Sequence, residues 1–201
     1  MKKKFVLGLT GSIGMGKSTT AKMFEEAGIP VWDADAKVHE LYTGDTPVVQ
    51  QIANMFPDAV ENKTVNRETL KDLISKDKSV LKILEKIVQP VIAVSRNNFI
   101  ASANNDIVVI DHPLLLESRS DSYCDAILVV NVDAETQRNR VLSRGSMDAE
   151  TLDVIIDKQI PNAEKCKRAD YIIETKTLKA ARAQVQNVIK KIREQILCEK
   201  L

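Results

Sequence analysis

Aromatic residues are scarce in this chain, at 4% of its 201 residues, so its hydrophobic core must be mainly aliphatic. No run of about 18 apolar residues is present, and we therefore expect no segment that spans a membrane. An excess of one charge sign is also missing, because 29 basic residues nearly balance 28 acidic ones and leave a net charge of +1. This balance gives no overall attraction to nucleic acid or to a membrane surface, so any anion binding must be local.

Cysteine is rare as well. Cys124, Cys166 and Cys198 are widely spaced and odd in number, so they form no metal-type cluster and predict reduced thiols in a cytoplasmic protein. The remaining composition, 44% hydrophobic and 28% charged, fits one core domain that carries an insertion. Whether the protein is a monomer or a weak homo-oligomer stays open at this point.

Short aliphatic runs alternate with helical patterns along much of the chain. Helices are predicted over 17–27 and 178–197, because apolar residues recur there at helical spacing. This alternation predicts an α/β fold with a parallel sheet flanked by helices. The five predicted strands are 5–9, 29–32, 107–110, 126–132 and 171–173.

Two regions interrupt the alternation. Residues 36–105 contain several helical patterns and no convincing strand, and they include a helix that we expect Gln89-Pro90 to interrupt. This length exceeds an ordinary connection, so it predicts a helical insertion. The second interruption, 138–168, is basic at both ends, with a helix over about 148–159. The predicted core is therefore built from 1–35, 106–137 and 169–201.

A glycine-rich stretch follows the first predicted strand. Gly11-Ser12-Ile13-Gly14-Met15-Gly16-Lys17-Ser18 fits the phosphate-loop pattern G-x-x-x-x-G-K-[ST] and leads through Thr19 into a predicted helix. Glycines let backbone N–H groups converge on phosphate oxygens at a helix N-terminus. Lys17 can reach the β- and γ-phosphates, and the Ser18 hydroxyl can bind Mg²⁺. We therefore expect a Mg²⁺–nucleoside triphosphate here.

The phosphate loop alone does not say how the triphosphate is used. A GTPase would be expected to show N-K-x-D after a later strand, and the near match at residues 62–65 lacks the acid and lies in the helical insertion. A motor would normally need a longer chain. A small kinase remains, and so does a nucleotide-dependent binding protein that transfers no phosphate.

Three aspartates follow predicted strands, at the sheet edge where such folds bind ligands. Asp33 is placed to accept a proton from an acceptor hydroxyl, and the alternative for Asp33 and Asp35 is capping of the next helix. Asp111 ends a buried aliphatic strand, a usual setting for a carboxylate that holds Mg²⁺ through water. The alternative for Asp111 is an ordinary turn aspartate.

Two arginines supply candidate cations for the transferred phosphoryl group. Arg140 and Arg144 are four residues apart, which predicts that they share one helix face and could meet developing charge on phosphoryl oxygens. The alternative is a solvated helix face.

Several motifs together resemble the dephospho-coenzyme A kinase family over residues 7–173. The D-A-D, D-x-P-L-L-x-E and Q…A-D-Y-I-I patterns are more specific than the phosphate loop. The resemblance rests on "LTGSIGMGKST", "GIPVWDADAKVHEL", "VNRETL", "LEKIVQPVI", "IVVIDHPLLLES", "ETQRNRVLSR" and "DKQIPNAEKCKRADYII".

The resemblance implies that ATP phosphorylates the ribose 3′-hydroxyl of dephospho-coenzyme A, giving coenzyme A and ADP. It implies that Asp33 is the general base, that Lys17 and Arg140 stabilise the transferred group, and that Ser18 binds Mg²⁺, with Asp111 acting through water. ATP would be held by the phosphate loop, Thr19 and Arg144.

On the substrate side, the resemblance implies that residues 36–105 bind dephospho-coenzyme A and that 138–168 form a lid. Arg67 would face substrate phosphates, and Pro113-Leu114-Leu115 would border the pantetheine-bearing nucleotide. Two departures from the family pattern are Gln89, where His is common, and Glu174-Thr175-Lys176-Thr177, where an Asn and a Gly are usual. A kinase of another small hydroxyl compound is the alternative within this architecture.

Overall fold

The computed structural model describes residues 4–145 and 147–199. The chain forms two compact units, one that runs to Trp32 and resumes at Ser102, and another that comprises Asp33–Ala101. The strands are β1 (Phe5–Thr10), β2 (Val31–Asp33), β3 (Val60–Glu61), β4 (Thr64–Val65), β5 (Ile107–Asp111), β6 (Ala126–Asn131) and β7 (Tyr171–Glu174). The α-helices are α1 (Lys17–Glu26), α2 (Ala34–Leu41), α3 (Pro47–Met55), α4 (Arg67–Lys76), α5 (Ser79–Ser102), α6 (Ala134–Leu142), α7 (Ala149–Lys158), α8 (Asn162–Lys167) and α9 (Leu178–Cys198).

The first unit is built on a five-stranded parallel sheet in the order β2-β5-β1-β6-β7, which confirms the predicted fold class. β1 lies in the middle, where Leu7 is paired with Val109 of β5 and with Ala126 of β6. All six residues of β1 are buried, as expected for a strand covered on both faces. The sheet therefore places the end of β1, and the loop that follows it, between its two neighbouring strands.

The core of the first unit is mainly aliphatic, as the composition predicts. Its buried cluster contains two aromatic side chains, Phe5 and Phe24, among leucines, isoleucines and valines. α1 and α9 pack their apolar faces against this cluster, with Phe24 and Val185 fully buried. The two helices thereby hold the sheet and the loop that precedes α1 in one body.

The prediction that residues 36–105 contain no strand was wrong. β3 and β4 form an antiparallel hairpin, in which Val60 is paired with Val65. The two residues between the strands, Asn62 and Lys63, have φ of 48° and 58°, as in a type I′ turn. Strands of two residues are too short to show an alternating pattern, so no periodicity predicted them.

The expected break at Gln89-Pro90 was also wrong, because α5 continues through Pro90 over 24 residues. A proline within a helix removes one hydrogen bond and costs about 3 kcal/mol. Buried side chains on both sides of it, such as Leu84, Val88 and Ile92, are each worth about 1.5–3 kcal/mol. Their burial outweighs the local penalty and keeps the helix continuous.

Among the described residues, no helix combines the length and apolarity needed to cross a bilayer.

The β3–β4 turn offers a test of the backbone geometry. Lys63→Gly should raise the free energy of unfolding by about 1 kcal/mol relative to Lys63→Ala, because glycine adopts positive φ without the steric cost of a Cβ. Lys63→Ala is the matched control, since both variants lose the exposed ion pair of Lys63 with Asp45. Urea unfolding of the two variants measures the difference, and equal stabilities would contradict the turn geometry.

Candidate active site

The loop between β1 and α1 needs its glycines for separate reasons. A Cβ on Gly11 would lie 2.4 Å from Val130 Cγ2, so β6 leaves no room for a side chain there. Gly14 and Gly16 have φ of 77° and 91°, which other residues rarely adopt. A Cβ on Gly16 would also lie 3.0 Å from Thr175 Oγ1. The loop conformation thus depends on contacts that glycine alone permits.

The N-terminus of α1 is open to an anion. Its N-cap residue, Gly16, offers no side-chain cap, and the first turn contains no acidic residue. The N–H groups of a first helical turn have no partner within the helix and carry partial positive charge. The side chains of Ser18 and Thr19 are exposed at this end. This arrangement suits phosphate oxygens, as the motif predicts.

Lys17 is held beside the loop by a carboxylate. Its Nζ lies 2.6 Å from Asp111 Oδ1 at the end of β5. Asp111 is only 2% exposed, so its charge requires a partner close by. The structure therefore gives Asp111 a role that the sequence did not suggest, as the ion-pair partner of the phosphate-loop lysine.

Side chains from outside the loop hold its first half. The Ser12 N–H donates to Asn162 Oδ1 at 3.2 Å, and the Ile13 N–H donates to Gln159 Oε1 at 3.1 Å. Gln137 Nε2 donates to the Ile13 carbonyl oxygen at 2.7 Å. Gln159 and Asn162 had no predicted role, although both lie in the stretch "DKQIPNAEKCKRADYII" that carries part of the family resemblance.

Arg140 lies next to the loop through an intermediate residue. Its guanidinium donates to Thr175 Oγ1 at 3.0 Å and to the Thr175 carbonyl oxygen at 2.7 Å. The same hydroxyl donates to the Met15 carbonyl oxygen at 2.7 Å. Thr175 is buried and was noted in the sequence only as part of a departure from the family pattern. It connects the candidate catalytic arginine to the phosphate loop.

The prediction that Arg140 and Arg144 share one helix face was wrong. α6 ends at Leu142, and Arg144 lies beyond it in a turn, with its side chain exposed. Gly145, with φ of 67°, follows directly and is typical of a helix that has ended. The structure therefore positions Arg140 and leaves Arg144 on the surface.

Asp33 caps α2. Its Oδ1 accepts a hydrogen bond from the Ala36 N–H at 3.0 Å, and Asp35 lies in the first turn. Asp33 thus has the capping role that was weighed as an alternative, whereas Asp35 only adds negative charge to the first turn of the helix. Capping uses one oxygen of the Asp33 carboxylate, and the residue is exposed. The cap fixes the side chain and leaves a basic oxygen for chemistry.

The segment after β5 is tied to the end of β1. Thr10 Oγ1 donates to the Pro113 carbonyl oxygen at 2.9 Å. Leu115 is fully buried, whereas Leu114 is 45% exposed. Within the segment Pro113-Leu114-Leu115, Leu114 therefore presents its side chain to the surface, and Leu115 packs into the core.

The second unit contains a mainly apolar cavity of about 290 Å³. The Arg67 guanidinium carbon lies 5.6 Å from the centroid of the Tyr42 ring, in cation–π range. Burial raises the pKa of Tyr42, and the charge of Arg67 only partly opposes this, so the phenol stays protonated at neutral pH. The cavity is lined by Val38, Tyr42, Arg67, Leu70, Lys71, Ile74, Leu81, Leu84, Glu85, Val88 and Gln89.

The residues expected to hold Mg²⁺ are compatible with it. Within the described ranges, no group of three or more His, Cys, Asp or Glu side chains could hold a metal ion. Mg²⁺ usually keeps several waters and binds through one or two protein oxygens together with substrate phosphates. The Ser18 hydroxyl and the Asp111 carboxylate are oxygen donors of this kind, and Asp111 contacts the loop lysine.

Thr175 allows a test of the contacts around the loop. Thr175→Val should lower the free energy of unfolding by about 1–2 kcal/mol and weaken Mg²⁺–triphosphate binding about fivefold, because Met15 and Arg140 lose a buried partner. Thr175→Ser keeps the hydroxyl and should behave like the parent protein. Urea unfolding and an equilibrium nucleotide titration measure the effects. Equal losses in both variants would contradict the role of the hydroxyl.

Comparisons with known proteins agree with this geometry. A curated dephospho-CoA kinase of Ruegeria pomeroyi is 48% identical over 189 residues, which is 94% of this chain and 96% of that protein. The crystal structure of TT1252 from Thermus thermophilus covers 96% of this chain and 98% of its own, with a TM-score of 0.79 and 26% identity. A dephospho-CoA kinase from Campylobacter jejuni, 23% identical, shares the fold with a TM-score of 0.63 over 94% of this chain and 97% of its own.

The family model described as dephospho-CoA kinase matches residues 5–180, a span that holds the phosphate loop, the Lys17–Asp111 pair and the Arg140–Thr175 contact. With nearly full-length identity to curated relatives as well, the chain belongs to the dephospho-CoA kinase family.

Proposed function

We propose that this protein transfers the γ-phosphoryl group of ATP to the ribose 3′-hydroxyl of dephospho-coenzyme A, producing coenzyme A and ADP. The observation that carries the proposal is a triphosphate-binding loop, with its lysine and an arginine held beside it, in a chain of this family. Membership over residues 5–180 identifies the acceptor, which a phosphate loop alone leaves open.

The nucleotide end of the reaction uses the loop and two cations. The N–H groups at the start of α1 would bind phosphate oxygens, and Lys17 would turn from Asp111 toward the β- and γ-phosphates. Arg140 would stabilise charge on the transferred group. It suits this role because its hydrogen-bond partners, Thr175 and Lys176, offer neutral oxygens, which leave the guanidinium charge uncompensated.

Ser18 would bind Mg²⁺ directly and Asp111 would hold it through water, and the ion would supply positive charge that offsets part of the charge of the phosphates. Once Lys17 has turned toward the phosphates, the Asp111 carboxylate could accept hydrogen bonds from the metal's water in its place.

At the acceptor end, Asp33 would orient the ribose hydroxyl and take its proton. The transition state of phosphoryl transfer is loose in most analyses, so the proton leaves late and positioning matters more than basicity. The cap to Ala36 supports this role, because it fixes the carboxylate and leaves Oδ2 without that bond.

The acceptor itself would be recognised in the second unit. Dephospho-coenzyme A combines negatively charged phosphates with a long pantetheine arm, and the cavity there combines the Arg67 cation with apolar walls. Leu114, which is exposed after β5, is the candidate residue of that segment for bordering the substrate. Gln89 lines the same cavity, so a substrate contact at this position would run through an amide in this chain.

The expected lid over 138–168, the expected cytoplasmic location and the expected monomeric or weakly associated state stay predictions. The lid would include the basic turn with Arg144 and would exclude water from the transferring group. Arg144 could reach ATP only from this exposed turn.

Release of ADP from Mg-ATP, measured with a panel of acceptors, tests the function. Dephospho-coenzyme A should stimulate release strongly above the rate in water alone. Stimulation by a different small hydroxyl compound would instead support the alternative kinase. Nucleotide binding without stimulation by any acceptor would favour a binding protein, and the proposal would fail.

Asp33→Asn tests the general base. The amide still caps α2, because Asn is as good an N-cap as Asp, so stability and ATP binding should be unchanged. Turnover should fall at least about a hundredfold, as is usual for acid–base groups. Asp35→Asn, in the same turn, is the control and should keep near-normal turnover. Near-normal turnover of Asp33→Asn would remove this residue from the mechanism.

A further inference from the structure

We propose that Gln159 and Asn162 are positioning residues, which clamp the first half of the phosphate loop so that its second half is preorganised for the triphosphate. The inference rests on the proposed function, since it concerns binding of the same ATP. Gln159 directly follows α7, and Asn162, on the other side of Pro161, is the first residue of α8. Neither contacts the loop through sequence proximity, because their bonds span 146 and 150 residues.

The hydrogen bonds divide the loop into two parts. The N–H groups of Ser12 and Ile13 are taken by Asn162 and Gln159. The N–H groups of Gly14 and Gly16 have no acceptor in the part of the chain that the structure describes, whereas the Met15 N–H between them donates to the Ser12 carbonyl oxygen at 3.2 Å. The N–H groups of the first turn of α1 continue this open stretch. Anion binding is therefore left to the second half, while the first half is already satisfied by the protein.

Asn162 ties the loop to the sheet. Its Nδ2 donates to the Val130 carbonyl oxygen at 3.2 Å and to Asn131 Oδ1 at 2.8 Å, both at the end of β6. Its Oδ1 accepts from Ser12. One amide side chain thus uses both its donor and its acceptor groups to bridge the loop and a central strand, which neither an apolar residue nor a carboxylate could do.

A buried ion pair anchors the clamp. Lys165 of α8 is fully buried, and its Nζ lies 2.7 Å from Glu117 Oε1 without the alignment of a hydrogen bond. Glu117 Oε1 also accepts from the Ile160 N–H at 3.1 Å, one residue after Gln159. Separating a buried pair leaves an uncompensated charge, which is costly. The segment from Gln159 to Lys165 is therefore anchored, and we infer that only the part of the expected lid (138–168) that precedes Gln159 moves.

The opposite interpretation is that the two side chains occupy the loop in place of phosphate and must leave when ATP binds. The two interpretations predict opposite changes in ATP affinity when the two side chains are removed. If Gln159 and Asn162 clamp the loop, removing them weakens ATP binding, because the loop must then be ordered at the expense of binding energy. If they compete with phosphate, removing them strengthens it.

Gln159→Leu and Asn162→Ala test the clamp by two measurements. Without nucleotide, hydrogen exchange of the Ile13 amide in the first variant, and of the Ser12 amide in the second, should become about fivefold to tenfold faster. The Kd for Mg-ATP, measured at equilibrium without acceptor, should rise by a similar factor, whereas KM for dephospho-coenzyme A should be unchanged. Gln159→Glu keeps an acceptor oxygen, so the Ile13 amide should stay protected, while the added negative charge still weakens ATP binding.

Gln186→Leu and Asn187→Ala, on the exposed face of α9, are matched controls and should show neither effect. Faster hydrogen exchange of the loop amides with an unchanged Kd for Mg-ATP would overturn the proposal and leave a purely structural role. A lower Kd would overturn it in favour of competition. Failure of the proposed function is distinguishable, because the parent protein would then bind Mg-ATP without release of ADP on addition of dephospho-coenzyme A.

Discussion

The phosphate loop offers its ligand mainly backbone N–H groups, and three glycines deprive it of side chains that could stabilise it from within. Its shape must therefore be imposed from outside. β6 approaches so closely that a Cβ on Gly11 would overlap Val130, and Gly16 combines a positive φ with a tight approach to Thr175. Hydrogen bonds from residues far along the chain complete the enclosure. The arrangement of cations and carboxylates around the loop depends on this enclosure.

Three cationic side chains of the first unit, Lys165, Arg140 and Lys17, differ in how far a partner neutralises their charge. Lys165 is fully buried and is neutralised by Glu117, which suits a structural anchor. Arg140, by contrast, is held by a hydroxyl and by carbonyl oxygens, so its charge remains available. Lys17 is intermediate, since its ion pair with Asp111 lies next to an open anion site. The type of partner thus distinguishes a cation that stabilises the fold from a cation whose charge can act on a bound phosphate.

Part of this structure was predictable because it depends on local pattern. The buried runs in β1, β5 and β6 are long enough for their periodicity and composition to indicate strands, and the phosphate loop has a fixed spacing. The β3–β4 hairpin was missed because two-residue strands carry no pattern. The continuity of α5 through Pro90 was missed because burial on both sides of the proline overrides its local preference.

The sequence by itself determined the parallel sheet, the triphosphate loop and the candidate residues Lys17, Asp33, Asp111 and Arg140, because spacing along the chain encodes them. Only the tertiary structure decided their partners. Thr175, Gln159 and Asn162 act on the loop across 160, 146 and 150 residues, and the family pattern in which they were noted assigned them no contact with the loop. A hydrogen bond is set by distance and direction in space, so partners that far apart become visible only after the chain has folded.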